Sequence, residues 1–274
     1  AYNIFPKYDI IYEGDYVKWC KLANSLMLRL AMRVVYADEA LAKQYAEKAI
    51  SNPHGVMEAA AEGATLCKGA GITLKNPLTI INGAYNDVRM GAEIYSYLKG
   101  YNDPRIGSYF TQGTINNKTD YYAVRTNIPK TDYYLDRNKF SLLNVQDATP
   151  VYIMKTSEVY FLRAEGKLRG WNMGNATAKT YYEKGIATSF EENSISVALA
   201  TAYAANNTAK PAEFVDAINS RYSADAPSDI TIKWQDNNNQ FEKNLERIIT
   251  QKYLAIYPDG QEAWSEFRRT GYPR

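Results

Sequence analysis

The sequence predicts an all-α protein, mostly helical with long irregular loops between helical pairs. Three observations lead there. Apolar residues recur at helical spacing over 15–35, 156–190 and 240–256. Asp, Asn, Gly and Pro stand where such segments should begin and end. The stretches between them, above all 105–150, are polar and lack any period. The 274 residues, 46% hydrophobic, suffice for one large domain or two intimate ones. No linker divides the chain cleanly, so a single domain over 1–274 is expected.

In order along the chain, residues 15–35 place Trp19, Leu22, Ala23, Leu26, Leu30 and Val34 on one helical face. Asp15 is the expected N-cap, and Arg29 and Arg33 lie toward the C-terminal end, where the helix dipole favours cations. A second helix starts at Asp38, shares a face of Leu41, Tyr45 and Ala49, and ends at Asn52-Pro53. Residues from about 15 to 50 therefore form an antiparallel hairpin with alanines at the contact. Residues 76–104 read as a loop and then a helix from about Asn86 to Leu98, closed by the turn Asn102-Asp103-Pro104. The paired pattern returns at 156–190. Val159, Leu162, Arg163 and 166–168 belong to one helix, and Ala178, Tyr182, Ile186 and Phe190 form a face of the next. Small residues at the crossing points and Trp171 near the turn resemble tetratricopeptide helix pairs. Residues 191–239 read as a polar excursion.

The last helical pair covers about 240–270. Phe241, Leu245, Ile248, Ile249 and Leu254 are its first apolar face, and Pro258-Asp259-Gly260 makes the turn. Asp259 and Glu262 stand in capping-box positions, Glu266 can meet Arg269 one turn on, and Gly271 is a natural C-cap. On this reading the charged end of the chain is frame and not an active site.

Composition removes several function classes. With 32 basic and 30 acidic residues, a net charge of +2 gives no pull toward nucleic acid or anionic lipid. His54 is the only histidine, which argues against a Ser-His-Asp triad or a multi-histidine zinc site. Cys20 and Cys67 are far apart and form no CxxC; they are either free buried thiols or one bridge. No run of apolar residues is long enough to span a bilayer, and the opening "AYNIFPKYDI" is not a signal peptide, although a precursor can carry one. "KGAG" at 68–71 lacks the third glycine of a nucleotide loop. Acidic residues are spread over helical surfaces without a spacing that selects a catalytic pair, and read as solvated faces and ion pairs. No catalytic residue, metal ligand or cofactor is expected. Tyrosine is the unusual count, at 24. Its apolar ring and polar tip suit wet binding surfaces. The doublets Tyr121-Tyr122 and Tyr133-Tyr134 are candidate plates for sugar rings, with polar help from Asn127 and Asp132. The alternative is that one ring of each doublet packs inward.

Several segments together resemble one family. "YEGDYVKWCKLANSLMLRLAMRV", "NDVRMGAEIYSYLKGYNDPRIGSYF", "TSEVYFLRAEGKLRGW" with "YYEKGIATSFE", and "ERIITQKYLAIYPDGQEAWSEFRRTGYPR" are similar, in family order, to elements of SusD/RagB-like proteins. The resemblance implies a tetratricopeptide-like helical scaffold with irregular loops as the binding face. It also implies a surface-exposed outer-membrane lipoprotein of Bacteroidetes-type bacteria. Such a protein has no catalytic role. It captures oligosaccharides or other nutrients and delivers them to a SusC-like TonB-dependent transporter. Family members are usually much longer, so the N-terminal part with its lipid anchor and the C-terminal tail are expected to lie outside this chain. Two other readings stay open: a helical-repeat scaffold that binds only protein partners, and capture of peptide rather than glycan. A glycan-active enzyme is disfavoured by the single histidine and the unpaired carboxylates.

Overall fold

A computed structural model describes residues 5–66, 73–133, 136–237 and 239–274. Its helices are α1 (Tyr16–Arg33), α2 (Glu39–Ser51), α3 (Ala92–Gly100), α4 (Ile106–Tyr109), α5 (Thr156–Leu168), α6 (Ala178–Glu192), α7 (Ala198–Ala204), α8 (Phe241–Ile256) and α9 (Gly260–Thr270). Four short strands join them: β1 (Ala64–Thr65), β2 (Gly113–Ile115), β3 (Lys118–Asp120) and β4 (Tyr152–Met154). The chain folds as two compact units interleaved in sequence. One comprises Ala1–Leu74, Pro150–Ala205 and Lys233–Arg274; the other comprises Lys75–Thr149 and Asn206–Ile232.

The first unit is the helical one. α1 starts where Asp15 accepts hydrogen bonds from the backbone N–H groups of Val17 and Lys18, at 3.0 and 3.1 Å. α2 starts where Asp38 accepts from Leu41 N–H at 2.9 Å. Both caps satisfy amides that a helix leaves without internal partners. α2 packs on α1, and its buried face is Ala42, Ala46 and Ala49, with Leu41 and Tyr45 left exposed. Three alanines in register let the two backbones approach closely. On α1 the buried set is Leu22, Ser25, Leu28, Ala31 and Met32, whereas Trp19, Leu30 and Val34 of the expected face are exposed. The helix carries apolar side chains on two sides, and periodicity alone does not choose between them.

α5 is the central helix: every residue from Thr156 to Gly166 is buried, and α6, α8 and α1 all pack against it. Gly185 of α6 sits on the Phe161 ring, where a Cβ would come within 2.8 Å of ring carbons. β1 and β4 pair antiparallel, with Ala64 opposite Met154. α9 closes as the sequence predicts. Asp259 accepts from Glu262 N–H at 3.0 Å, and Gly271 takes the left-handed conformation at the C-cap. Cys20 is a free, half-buried thiol; Cys67 and the "KGAG" segment lie outside the described residues.

The second unit is built mainly from loops. The helix expected from Asn86 begins only at Ala92. Asn86 is in the left-handed region at φ 51°, and the chain after it runs extended. Met90 N–H donates to Ser141 O, Val124 N–H to Met90 O and Ala92 N–H to Val124 O, at 2.9 to 3.0 Å. These long-range bonds replace the intrahelical ones. Asp103 and Arg105 form a fully buried pair, with Arg105 Nε and Nη2 donating to the carboxylate at 2.9 and 2.6 Å. α3 runs close to the segment 210–212, whose Ala212 N–H donates to Ser96 O at 2.8 Å. Gly100 has no room for a Cβ, which would stand 2.1 Å from Lys210 O. β2 and β3 form a hairpin whose two-residue turn is Asn116-Asn117, both left-handed, as this turn geometry requires. The ends of the segment 75–149 are tied together. Asn76 N–H donates to Asp147 O at 3.0 Å and its side-chain amide to Thr149 O at 3.2 Å.

Candidate functional site

The tyrosine-rich stretch leaves β3 and is stitched into the loop unit. Tyr122 N–H donates to Ser141 Oγ at 2.9 Å, and Ser141 N–H returns to Tyr122 O at 2.9 Å. The Tyr122 ring is half-buried, with its hydroxyl donating to Lys118 O at 3.0 Å. Together with Val124 and Ile128 it packs against a small core of Ile115, Tyr133, Phe140 and Tyr222. Tyr121 is half-buried and lies over Gly107, close enough that a Cβ there would sit 3.2 Å from the Tyr121 hydroxyl.

Tyr133 packs inward. It is 6% exposed, meets the Phe140 ring edge-on at 5.4 Å between centroids, and donates its hydroxyl to Asp216 Oδ2 at 2.7 Å. Burial and then that hydrogen bond push its phenol well above the ordinary tyrosine range. Its ring is a wall, with no face presented to bulk water. Asp132 accepts from the Tyr222 hydroxyl and, at 3.2 Å, from Arg221 Nη2. The Tyr222 bond holds its carboxyl below the usual range. Asn127 is exposed in the left-handed conformation at φ 61°. Tyr134 lies outside the described residues.

Beside these residues the loop unit opens a cavity of about 270 Å³. That is near the lower end for ligand pockets, with room for one ring and not a long chain. One wall is apolar: Val124, Ile128, Pro129, Tyr133 and Phe140. The other is polar: Asn86, Asp87, Arg89 and Arg137. Arg89 is held in place by its neighbours. Its Nη1 donates to Val88 O at 2.7 Å and Asn86 O at 3.2 Å, its Nη2 to Asn86 Oδ1 at 2.7 Å, and its Nε to Arg137 O. Burial, and then the Arg137 charge, lower the pKa of Arg89. An apolar wall facing a few fixed polar groups is the pattern of a small-molecule site. Of the candidate residues read from the sequence only Tyr133 is among the described lining, and Asn86, Asp87, Arg89 and Arg137 were missed. No spacing marks them, because the fold brings 86–89 and 137 together across a long-range ladder.

The charged end of the chain is part of the helical unit's interior. Lys252 of α8, 1% exposed, lies 3.2 Å from Glu158, 2.9 Å from Glu262 and 3.3 Å from Glu266. Around it Arg29 pairs with Glu158, Arg33 with Glu262, and Arg269 with both Glu165 and Glu266. Glu262 therefore turns inward instead of completing the capping box expected with Asp259. These carboxylates make ion pairs, as the sequence reading allowed, Glu266 with Arg269 among them, but they are buried and not on solvated faces. Burial alone would raise the pKa of Glu266, but Lys252 and Arg269 overcome it and hold it at about 2. The same three glutamates raise Lys252 above the ordinary lysine range against its burial. The cluster is enclosed, and its charges are satisfied by one another.

Elsewhere, α1 and α2 leave an apolar groove lined by Leu26, Met27, Leu30, Val34, Leu41 and Tyr45. Among the described residues no group of three His, Cys, Asp or Glu side chains is arranged to hold a metal ion, and no helix is long and apolar enough to cross a membrane.

Helical hairpins in one unit and a loop-built pocket in the other define a mostly helical class of protein with long irregular loops. The chain belongs to the SusD-like family, described as SusD and RagB outer-membrane lipoproteins, whose model matches residues 1–274. Solved structures agree. A chitin-binding SusD homologue from Flavobacterium johnsoniae is 41% identical with a TM-score of 0.91, covering 100% of this chain and 55% of that one. A SusD homologue from Bacteroides thetaiotaomicron is 39% identical with a TM-score of 0.89, covering 100% and 56%. The chain thus spans little more than half the length of these relatives. No curated protein matches it. The mostly helical fold read from the sequence is the fold of these structures.

Proposed function

We propose that this chain belongs to a non-catalytic, surface-exposed outer-membrane lipoprotein that captures oligosaccharides and hands them to a SusC-like TonB-dependent transporter. The observation that carries the capture step is the pocket of the loop unit, with its apolar wall of Val124, Ile128, Pro129, Tyr133 and Phe140 opposite fixed polar groups. Sugars present apolar C–H faces and a rim of hydroxyls, and such a two-sided cavity suits both. Tyr133 belongs to its wall, and Tyr121, Tyr122, Asn127 and Asp132, from the same stretch of chain, are proposed as further ligand contacts. The chitin-binding relative supports the choice of glycan. Family membership supports the transporter, the lipid anchor and the cell surface. The absence of a catalytic step is supported by the exposed, lone His54 and by the glutamates locked into ion pairs around Lys252.

The test is a calorimetric screen of the purified chain against soluble glycans and peptides. Binding of a glycan that falls several-fold in a Tyr121→Ala/Tyr122→Ala variant with unchanged helical content is the expected result, each aromatic stack contributing about 1 kcal/mol. Shortening of the glycan during the experiment would contradict the non-catalytic reading, and binding of peptides alone would replace the ligand class. A second reading has its own observation: the exposed apolar groove between α1 and α2 suits a protein partner. Binding to a transporter with no affinity for any glycan or peptide would favour it.

A further inference from the structure

Several arginines removed from water in this chain are met by carboxylates. Arg29 faces Glu158, Arg105 faces Asp103, Arg163 faces Glu58, Arg169 faces Glu165 and Arg269 faces Glu165 and Glu266. Arg89 breaks that pattern. It is half-buried at the wall of the loop-unit pocket, and its hydrogen bonds go to neutral oxygens of Asn86, Val88, Arg137 and Asn138. A second guanidinium, that of Arg137, lines the same cavity. Asp87, at the exposed lip, supplies the one carboxylate among the described lining residues. Asp87 favours the Arg89 charge only through space, without a hydrogen bond, and a partly desolvated guanidinium is costly without a directly bonded counter-ion.

We propose that the counter-ion of Arg89 comes from the ligand: the pocket takes an acidic sugar, whose carboxylate or sulfate sits at Arg89 and Arg137 while its ring lies on Val124, Ile128 and Phe140. This rests on the glycan-capture reading and narrows it. The geometry gives the acid a place to enter. Four of the five contacts of Arg89 are firm, but the contact of Nη2 to Asn138 Oδ1 is 3.4 Å, and an incoming oxygen replaces that weak bond most easily. The firm contacts keep the guanidinium oriented before the ligand arrives, so little side-chain freedom is lost on binding. The lowered pKa of Arg89 agrees, since burial and Arg137 oppose its charge by more than Asp87 favours it.

The test compares ligands that differ only in charge. The chain is titrated by calorimetry with a galacturonic acid trisaccharide and with its methyl ester, and with a galactose trisaccharide and its sulfated form, at low and high salt. An N-acetylglucosamine trisaccharide serves as a neutral reference. The acidic member of at least one pair is expected to bind about tenfold tighter than its neutral partner, and the gap should narrow at high salt. The pair that shows the gap tells carboxylate from sulfate. Arg89→Gln and Arg137→Gln should each shrink the gap; Arg137→Gln keeps the backbone carbonyl that holds Arg89, and circular dichroism checks the fold of both. Equal binding of charged and neutral partners, with some glycan bound, overturns this inference and leaves glycan capture standing. A gap that survives intact in both folded variants also overturns it. No binding of any glycan overturns the capture reading, and the acidic preference falls with it.

Discussion

Replacing Lys252 by Met tests whether the helical unit is organised around its buried charges. Methionine keeps length and removes the ammonium, so Glu158, Glu262 and Glu266 lose the cation they share at 3.2, 2.9 and 3.3 Å. Glu158 keeps Arg29, Glu262 keeps Arg29 and Arg33, and Glu266 keeps Arg33 and Arg269, which limits the loss. Glu266 alone sets a scale. A folded pKa of about 2 against the usual 4.5 corresponds to about 3 kcal/mol of stabilisation at neutral pH. Removing one partner of a buried ion pair typically costs 3–5 kcal/mol, roughly the same. The variant should therefore lose about 3–5 kcal/mol at neutral pH, or on the order of 10 °C in Tm. The pH dependence has a definite sign. A depressed carboxylate pKa stabilises the fold above the unfolded value of 4.5 and stops doing so as pH falls toward 2. Without Lys252, Glu266 takes up a proton more readily in the folded state, so the deficit should narrow on moving from neutral pH to about pH 4. Urea unfolding followed by circular dichroism at the two pH values measures both quantities. A deficit below about 1 kcal/mol at neutral pH, or one that widens in acid, would refute the reasoning.

Three further outcomes follow from packing in the loop unit and can be read by thermal and urea unfolding. Gly100→Ala forces a Cβ to within 2.1 Å of Lys210 O, a backbone atom with no side chain to swing away, and should cost on the order of 3 kcal/mol. Gly83→Ala meets nothing within 4 Å and is the neutral control. Asp103→Asn removes the carboxylate paired with the fully buried Arg105 and is expected to cost about 3–5 kcal/mol. Tyr133→Phe removes the 2.7 Å bond to Asp216, whose other oxygen still accepts from Ile218 and Asn219 N–H; a loss of about 1–2 kcal/mol is expected. A loss near zero would mean that water substitutes for the phenol.

Local chemistry made the helices legible. Asp15, Asp38, Asp259 and Gly271 act on amides and carbonyls within a few residues, so their roles as caps can be read without knowing the fold. The start of α3 was not legible, because residues 86–91 are claimed by Val124 and Ser141, partners far along the chain. The ion cluster was hidden for the same reason. Arg29 and Glu158 are 129 residues apart, and Arg33 and Glu262 are 229 apart. Of the candidate site, composition pointed to the stretch that supplies Tyr133 to the pocket wall, but it could not tell that inward ring from an outer one. Arg89 gave no signal at all, since an arginine is exceptional here only through the carboxylate it lacks.

The tie between Asn76 and the far end of its segment has an evolutionary reading. Asn76 bonds to Asp147 and Thr149, so a stretch of more than seventy residues leaves and returns at nearly one point. A segment whose ends already meet can be lengthened, shortened or exchanged without moving the residues that flank it. Mutations that reshape the pocket are thereby insulated from the alanine contacts and ion pairs of the helical hairpins. Descendants of one gene can diversify in their loops while inheriting the same chassis.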